Sequence, residues 1–416
     1  MNMSGLSLDQ APPYSVILRF FITAQIFGIL AGIVLAVGGE TILASRYAPI
    51  SYVFVHLITI GVMGMTMIGA LFQMLPVIAG VKLPSPQRFS LFVYLLLIAG
   101  VSLLSYGFFS AEGMAFVIGG TMLVLAFGSF AALAILRLRV AEFPSSAIWL
   151  IRLALTGVII AILLGANLAF SRATGSLDHA SIALTTLHIG WGFAIWTLLL
   201  IMGVSRQVLP MFYVAPQYPN ICCRTIVPLI YFAMIALSFS LIFDVGAAYM
   251  LLIAKISALL SFVAFGVTTL YLLYKRKRKI GDPTLVLWRF AIASLIVSAP
   301  LLLIEGERHT ALLATLFVGG FVLAIINAMT YKIVPFLAWF HLSAMQRTDI
   351  PMMGDFVSKR SAYMQAICFM AAIVTIAVAI YIPALTITGG ALLALSYLLI
   401  LKDTVLCIML YRKHLS

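Results

Sequence analysis

Residues 56–80 read HLITIGVMGMTMIGALFQMLPVIAG, and this stretch decides what kind of protein the chain is. A histidine opens it. About a membrane's thickness of apolar residues follows, broken only by Gly and Thr, and Gln73, Met74, Leu75 and Pro76 close it. The same grammar returns at residues 188–210, HIGWGFAIWTLLLIMGVSRQVLP. It returns more loosely at 319–335, which ends in Tyr331, Lys332, Ile333, Val334 and Pro335.

Hydrophobic types make up 64% of the 416 residues and charged types 9%. The mean hydropathy is +1.18. A water-soluble core has no use for that much apolar surface, and runs of about 20 apolar residues recur from end to end. The chain reads as an all-α polytopic protein of the lipid bilayer. Periodicity and hydropathy predict twelve spans, near 15–38, 50–79, 88–110, 113–136, 147–171, 182–210, 226–243, 246–274, 284–304, 311–338, 362–382 and 385–408. The last two are split by a very short turn around residues 381–383. No signal-peptide pattern leads the first run, since Asp9, Pro12 and Pro13 precede it without a basic region.

The net charge of +13 belongs to loops and predicts no nucleic-acid partner. One alternate set of loops holds Lys82 and Arg88, then Arg137, Arg139 and Arg152, then Arg206 and Arg224. It continues with the run from Lys275 to Lys279 and with Arg347, Lys359 and Arg360. The opposite set holds Glu40, Glu112, Asp178, Asp244, Glu305 and Glu307, with few basic residues. By the positive-inside rule both termini are cytoplasmic, which an even number of spans satisfies. Cys222 and Cys223 are adjacent in a loop, and Cys368 and Cys407 sit in apolar runs. That spacing supports neither a disulfide framework nor a CxxC metal site.

Pro76, Pro210 and Pro335 end spans 2, 6 and 10, so the pattern repeats every four helices. Three residues before each proline stands a polar side chain: Gln73, Gln207 and Lys332. Seven before stands a small one: Gly69, Gly203 and Ala328. Small residues let helices approach, and a polar group at one depth three times over implies a shared interior. The expectation is one transmembrane domain of three four-helix modules, 1–143, 144–280 and 281–416, around a pseudo-threefold axis. Gln73, Gln207, Arg206 and Lys332 would then form an inner polar cluster, a way in for protons or an anion. Lysine and arginine near helix ends equally reach out to the interface.

His56 and His188 lie within apolar runs, where ionisable groups are costly and usually functional. Neutral imidazole is a common haem ligand. Gly61 and Gly69 after His56, and Gly190 and Gly192 after His188, would supply the wall a flat ligand needs. His56 stands 20 residues before its proline and His188 stands 22 before its own. Two residues are about 200° of helix, so the imidazoles are not strictly equivalent unless a kink absorbs the difference. His309 and His341 are lesser metal candidates, at the outer and inner ends of span 10. Lys255 in span 8, Asn167 and Asn327 are further polar groups within apolar runs.

These features resemble the catalytic subunit of the haem–copper oxidase superfamily, which includes bacterial nitric oxide reductases, and more closely the NnrS-like twelve-span haem proteins. Arg19-Phe20-Phe21 is similar to the RPFF motif of that group. His56, Gly61, Gly69-Ala70-Leu71, Pro76 and Gly80 are similar to its helix-2 pattern. The resemblance implies a bacterial inner (cytoplasmic) membrane protein binding haem b, with His56 as a haem ligand and His188 as a ligand of haem or of the copper-type site on helix 6. It implies redox or nitric oxide and small-gas chemistry, with a separate electron donor or the quinone pool as partner. The departures are clear. Residues 226–243 hold no histidine, span 10 lacks the paired histidines, and Phe54 stands where the NnrS-type HxHE motif has its first. A complete haem–copper catalytic centre is therefore not expected. The alternatives are a cofactor-free transporter or channel on the same scaffold, and a copper-binding assembly protein.

Overall fold

The computed structural model describes residues 12–81, 83–141, 145–243, 245–345 and 349–415. Asp9, Lys82, Asp244 and Arg347 lie outside the described residues. Every regular element among the described residues is helical. Twelve helices are long and apolar enough to cross a membrane. In chain order they are Tyr14–Gly38, Pro49–Ala79, Pro86–Ser110, Gly113–Leu138, Ser146–Ala173, His179–Tyr213, Asn220–Ile242, Ala247–Tyr274, Pro283–Leu303, Glu307–Ala344, Lys359–Ala379 and Pro383–Lys413. They answer one to one to the predicted spans and keep those numbers below.

Spans 6 and 10 run 35 and 38 residues, longer than hydropathy marks them. Hydropathy reports only the apolar stretch, whereas a helix continues to its polar cap. Span 6 starts at Asp178, whose Oδ1 accepts from the Ser181 backbone N–H at 3.0 Å and from its hydroxyl at 2.9 Å. Those bonds from Ser181 hold the fully exposed Asp178 carboxyl below its ordinary range. Span 10 starts after Gly306, whose φ of +119° favours glycine.

Spans 2, 6 and 10 share a feature that composition does not show. Each contains a π-helical segment: Leu57–Gly64, Trp191–Leu198 and Thr315–Leu323. Leu57 lies 19 residues ahead of Pro76, Trp191 lies 19 ahead of Pro210, and Thr315 lies 20 ahead of Pro335. Such wide turns are rare in helices and concentrate at functional sites. From within each π segment onward the helix is covered, with residues 61–69, 195–203 and 319–331 all buried. A helix that is apolar all round has to be covered all round.

The chain divides into two compact units. The first takes Leu71–Lys279 and Ile296–Glu305, and the second takes Pro13–Ala70, Ile280–Leu295 and Gly306–Ser416. Two of the divisions fall inside spans 2 and 9, and two fall in the loops before and after span 9. In the first unit, spans 5 and 6 meet where Gly157 admits Ile195; a Cβ on that glycine would lie 2.5 Å from Ile195 Cγ2. In the second unit, Gly28, Gly32 and Ala36 line one face of span 1 and meet Gly390, Ala394 and Tyr397 of span 12. Between membrane helices close packing replaces the hydrophobic drive, so such small-residue faces hold the contact.

Candidate functional site

In the first unit, His188 is half-buried, and its Nδ1 lies 2.8 Å from the Ala161 carbonyl oxygen of span 5. A carbonyl only accepts, so Nδ1 carries the hydrogen and Nε2 keeps its lone pair. Gly165, one turn on from Ala161, makes room for the ring: a Cβ there would sit 2.8 Å from His188 Cε1. Gly192 is open, its nearest neighbour being Ala161 Cβ at 3.9 Å from an added carbon. The result is an imidazole of fixed tautomer in a bay of small residues. Metal-ligating histidines are oriented in this way, through the nitrogen that does not bind the metal.

In the second unit, His56 precedes the π segment of span 2. Its Nδ1 lies 2.8 Å from the Tyr52 carbonyl of its own helix, which selects the same tautomer. The two histidines stay out of step. The π segments occupy the same places relative to Pro76 and Pro210 and lie after both histidines, so they absorb none of the two-residue offset. The position matching His188 in span 2 is Phe54, and the one matching His56 in span 6 is Gly190.

The glycine walls expected beside both imidazoles are partly filled. A Cβ on Gly61 would lie 2.7 Å from Phe27 Cγ, and one on Gly69 would lie 2.6 Å from Phe20 Cβ. Gly190 receives the Met234 side chain, whose Cε would be 2.8 Å from an added carbon. These three glycines admit side chains of neighbouring helices. Gly192 keeps open space, and Gly165, not foreseen, makes room for the imidazole itself. Its signal was only its place in span 5, which no repeat marked.

Of the residues expected in an inner polar cluster, Gln73, Arg206 and Gln207 lie in the first unit and Lys332 in the second. Arg206 turns to the loop after its own helix. It donates to the Tyr218 carbonyl at 3.1 Å, to Asn220 Oδ1 at 3.0 Å and to Cys223 Sγ at 3.3 Å. Its role is to clamp the turn into span 7. Gln207 is half-buried. Gln73 is buried, and its Oε1 has no hydrogen-bond partner among the described residues. Lys332, in the second unit, pairs with Asp282. Lys255 reaches Glu305 at 3.2 Å, toward the acidic-loop end of its span. Asn167 is exposed, whereas Asn327 is buried with its Nδ2 unpartnered among the described residues.

Two carboxylates in the second unit escaped the sequence reading. Asp282 caps span 9 by accepting from the Thr284 backbone N–H at 2.9 Å, and it binds Lys332. Asp403, buried within span 12, accepts from the Tyr331 hydroxyl at 2.9 Å and the Ser361 hydroxyl at 2.7 Å. Lys402 lies 3.2 Å from the same carboxylate. The adjacent Tyr331 and Lys332 thus tie span 10 to carboxylates at spans 12 and 9. The available signal was a Lys-Asp pair inside the apolar run of span 12.

Burial pushes the Asp282 carboxyl up, but Lys332 and the bonds from Thr284 together outweigh it and hold the group below the usual carboxylate range. A carboxyl depressed by folding adds stability above its unfolded value, about 3.9. That stability is lost as pH falls through the folded value. Asp282→Asn is therefore expected to lower the thermal midpoint at pH 7, at a cost of about 1–3 kcal/mol, because Lys332 is left without its counter-ion. Adding Lys332→Met should recover part of the loss. Melting curves from pH 7 down to pH 3 check this; a gap between wild type and Asp282→Asn that does not narrow below about pH 3.9 refutes it.

No group of three or more His, Cys, Asp or Glu side chains placed to hold a metal ion occurs among the described residues. His309 and His341 accordingly belong to no such group. His341 packs against Tyr14, ring centroids 6.0 Å apart, and its Nε2 is buried without a hydrogen-bond partner among the described residues.

Fold and site together define a class: an all-helical, multi-pass membrane protein whose spans 2, 6 and 10 each carry a π segment at matching distance from a proline. No known family model matches the chain, and no curated protein matches it.

Proposed function

We propose that this chain binds haem b in a bacterial inner membrane, with His188 as the residue that would hold its iron, and serves redox or nitric oxide and small-gas handling. The observation that carries the reading is the His188 imidazole, held by Nδ1 to Ala161 with Nε2 left as an electron-pair donor. His56 offers a second imidazole in the same tautomer. The free Nε2 of His188 is a donor of the kind a haem iron takes, whereas Gly61, Gly69 and Gly190 are filled by neighbouring side chains. When bound, haem supplies a one-electron couple and an iron able to take a diatomic gas. The chain's own part is to orient imidazole through Ala161, to leave room at Gly165 and Gly192, and to seal the helices beyond the π segments from water.

The three-module arrangement belongs to the same reading, supported by the recurrence of the π segment ahead of Pro76, Pro210 and Pro335. Cytoplasmic termini are supported by the bias of lysine and arginine among the loops. An electron donor would be a separate protein or quinone. The test is an absorption spectrum of the purified full chain with iron and copper analysis. A Soret band with alpha and beta peaks and stoichiometric iron is expected. A colourless, iron-free protein purified from haem-replete cells refutes it, and copper without iron favours the copper-binding assembly reading.

One observation favours a second reading, a transporter or channel: a buried carboxylate inside a membrane helix, Asp403, is costly unless used. Ion flux in proteoliposomes that survives His188→Ala and fails in Asp403→Asn would select it.

A further inference from the structure

The second unit has a cavity of about 330 Å³ where the start of span 11 meets the end of span 12. Arg360, Lys402, Ser361 and the buried Asp403 form its polar part, and Met364 and Leu406 form an apolar part. We propose that this cavity seats the phosphate-bearing headgroup of an anionic phospholipid.

Charge comes first. Asp403 does not present a bare carboxylate to the cavity. Tyr331 donates to one oxygen, and Ser361 and Lys402 are bound at the other. Lys402 also donates to the Ser361 hydroxyl at 2.8 Å. Arg360 makes no hydrogen bond or ion pair among the described residues, so one formal positive charge is left uncompensated at the rim. A guanidinium offers a planar fork of donors that matches two phosphate oxygens.

The second argument is where the apolar part lies. Met364 is one helical turn beyond Arg360, further into span 11, and so lies on the bilayer side of the cation, about half exposed at 52%. Leu406 is one turn from Lys402 toward the end of span 12 and closes the opposite side of the cavity. A soluble anion gains nothing from that wall. A lipid does, because its glycerol and first methylenes continue below the phosphate into the bilayer. Arg360 is the second residue of a membrane helix and follows Lys359, which puts the cations at the level where headgroups lie.

The full chain in mild detergent is titrated with phosphatidylglycerol, phosphatidylcholine and inorganic phosphate, and bound lipid is counted by native mass spectrometry. Phosphatidylglycerol is expected to bind in one tight copy, with phosphatidylcholine weaker and inorganic phosphate unable to displace it. Arg360→Gln should weaken phosphatidylglycerol about fivefold, the weight of one cation at a membrane surface. Arg360→Lys should retain most of the binding, and Met364→Gln, which keeps both cations, should weaken it as well. Unchanged binding in folded Arg360→Gln, equal binding of phosphatidylcholine, or displacement by inorganic phosphate overturns the proposal.

Discussion

Replacing Gly32 with valine is expected to cost about 3 kcal/mol or more and to broaden or abolish thermal unfolding of the purified chain. A first side-chain carbon at Gly32 would sit 2.4 Å from the Ala394 backbone nitrogen and 2.8 Å from its Cα. Neither atom can swing aside as the end of a flexible side chain can. The opposing position behaves the same way, since a Cβ on Gly390 would lie 2.5 Å from the Ala36 nitrogen. Spans 1 and 12 would have to separate, and in lipid no hydrophobic gain offsets the close packing given up along that face. Gly390→Val is expected to match Gly32→Val. Gly128→Ala is the control, because its added carbon meets only Ile162 Cδ1 at 3.7 Å. That change should be neutral or stabilising by a few tenths of a kcal/mol, as alanine is the better helix former. Melting curves in one detergent decide it: equal midpoints for Gly32→Val and wild type would mean the crossing is not held by these residues.

His188→Ala is expected to remove the haem spectrum if the proposed function holds. The variant deletes an imidazole held across two helices, by Ala161 on span 5. A second variant separates ligand loss from general damage. Gly165→Val keeps the histidine but drives a side chain into the space its ring fills, 2.8 Å from Cε1 at the first carbon. Displacing an oriented ligand should lower haem occupancy about tenfold. His309→Ala, a change at the far end of span 10, should leave the spectrum as in wild type. Full pigment in His188→Ala, with the protein intact by melting, would end the assignment of that residue.

Lipid exposure and helix number were open to reading along the chain because both depend on local quantities. An apolar run of about 20 residues has few alternatives to a spanning helix. Proline every fourth span marked spans 2, 6 and 10, and their π segments do fall at matching places. The π segments themselves were hidden: residues 57–64 have the composition of any membrane helix, and a wide turn is selected by what packs against it.

Pairings were decided in three dimensions. Nothing near Gly61 announces that Phe27 fills its groove, and nothing near Gly165 announces His188. Asp282 finds Lys332 across 50 positions, and Asp403 finds Tyr331 across 72. Helical periodicity shows that a polar group faces inward without showing its partner. By itself, then, the sequence determined twelve helices long and apolar enough to span a membrane, and the rank of three among them. Only tertiary structure decided which glycines take a neighbouring helix, which imidazole has its tautomer set across two helices, and which charges neutralise each other. The physical reason is that hydropathy is a property of each residue, while a cavity, a hydrogen bond or an ion pair is a property of residues brought together by the fold.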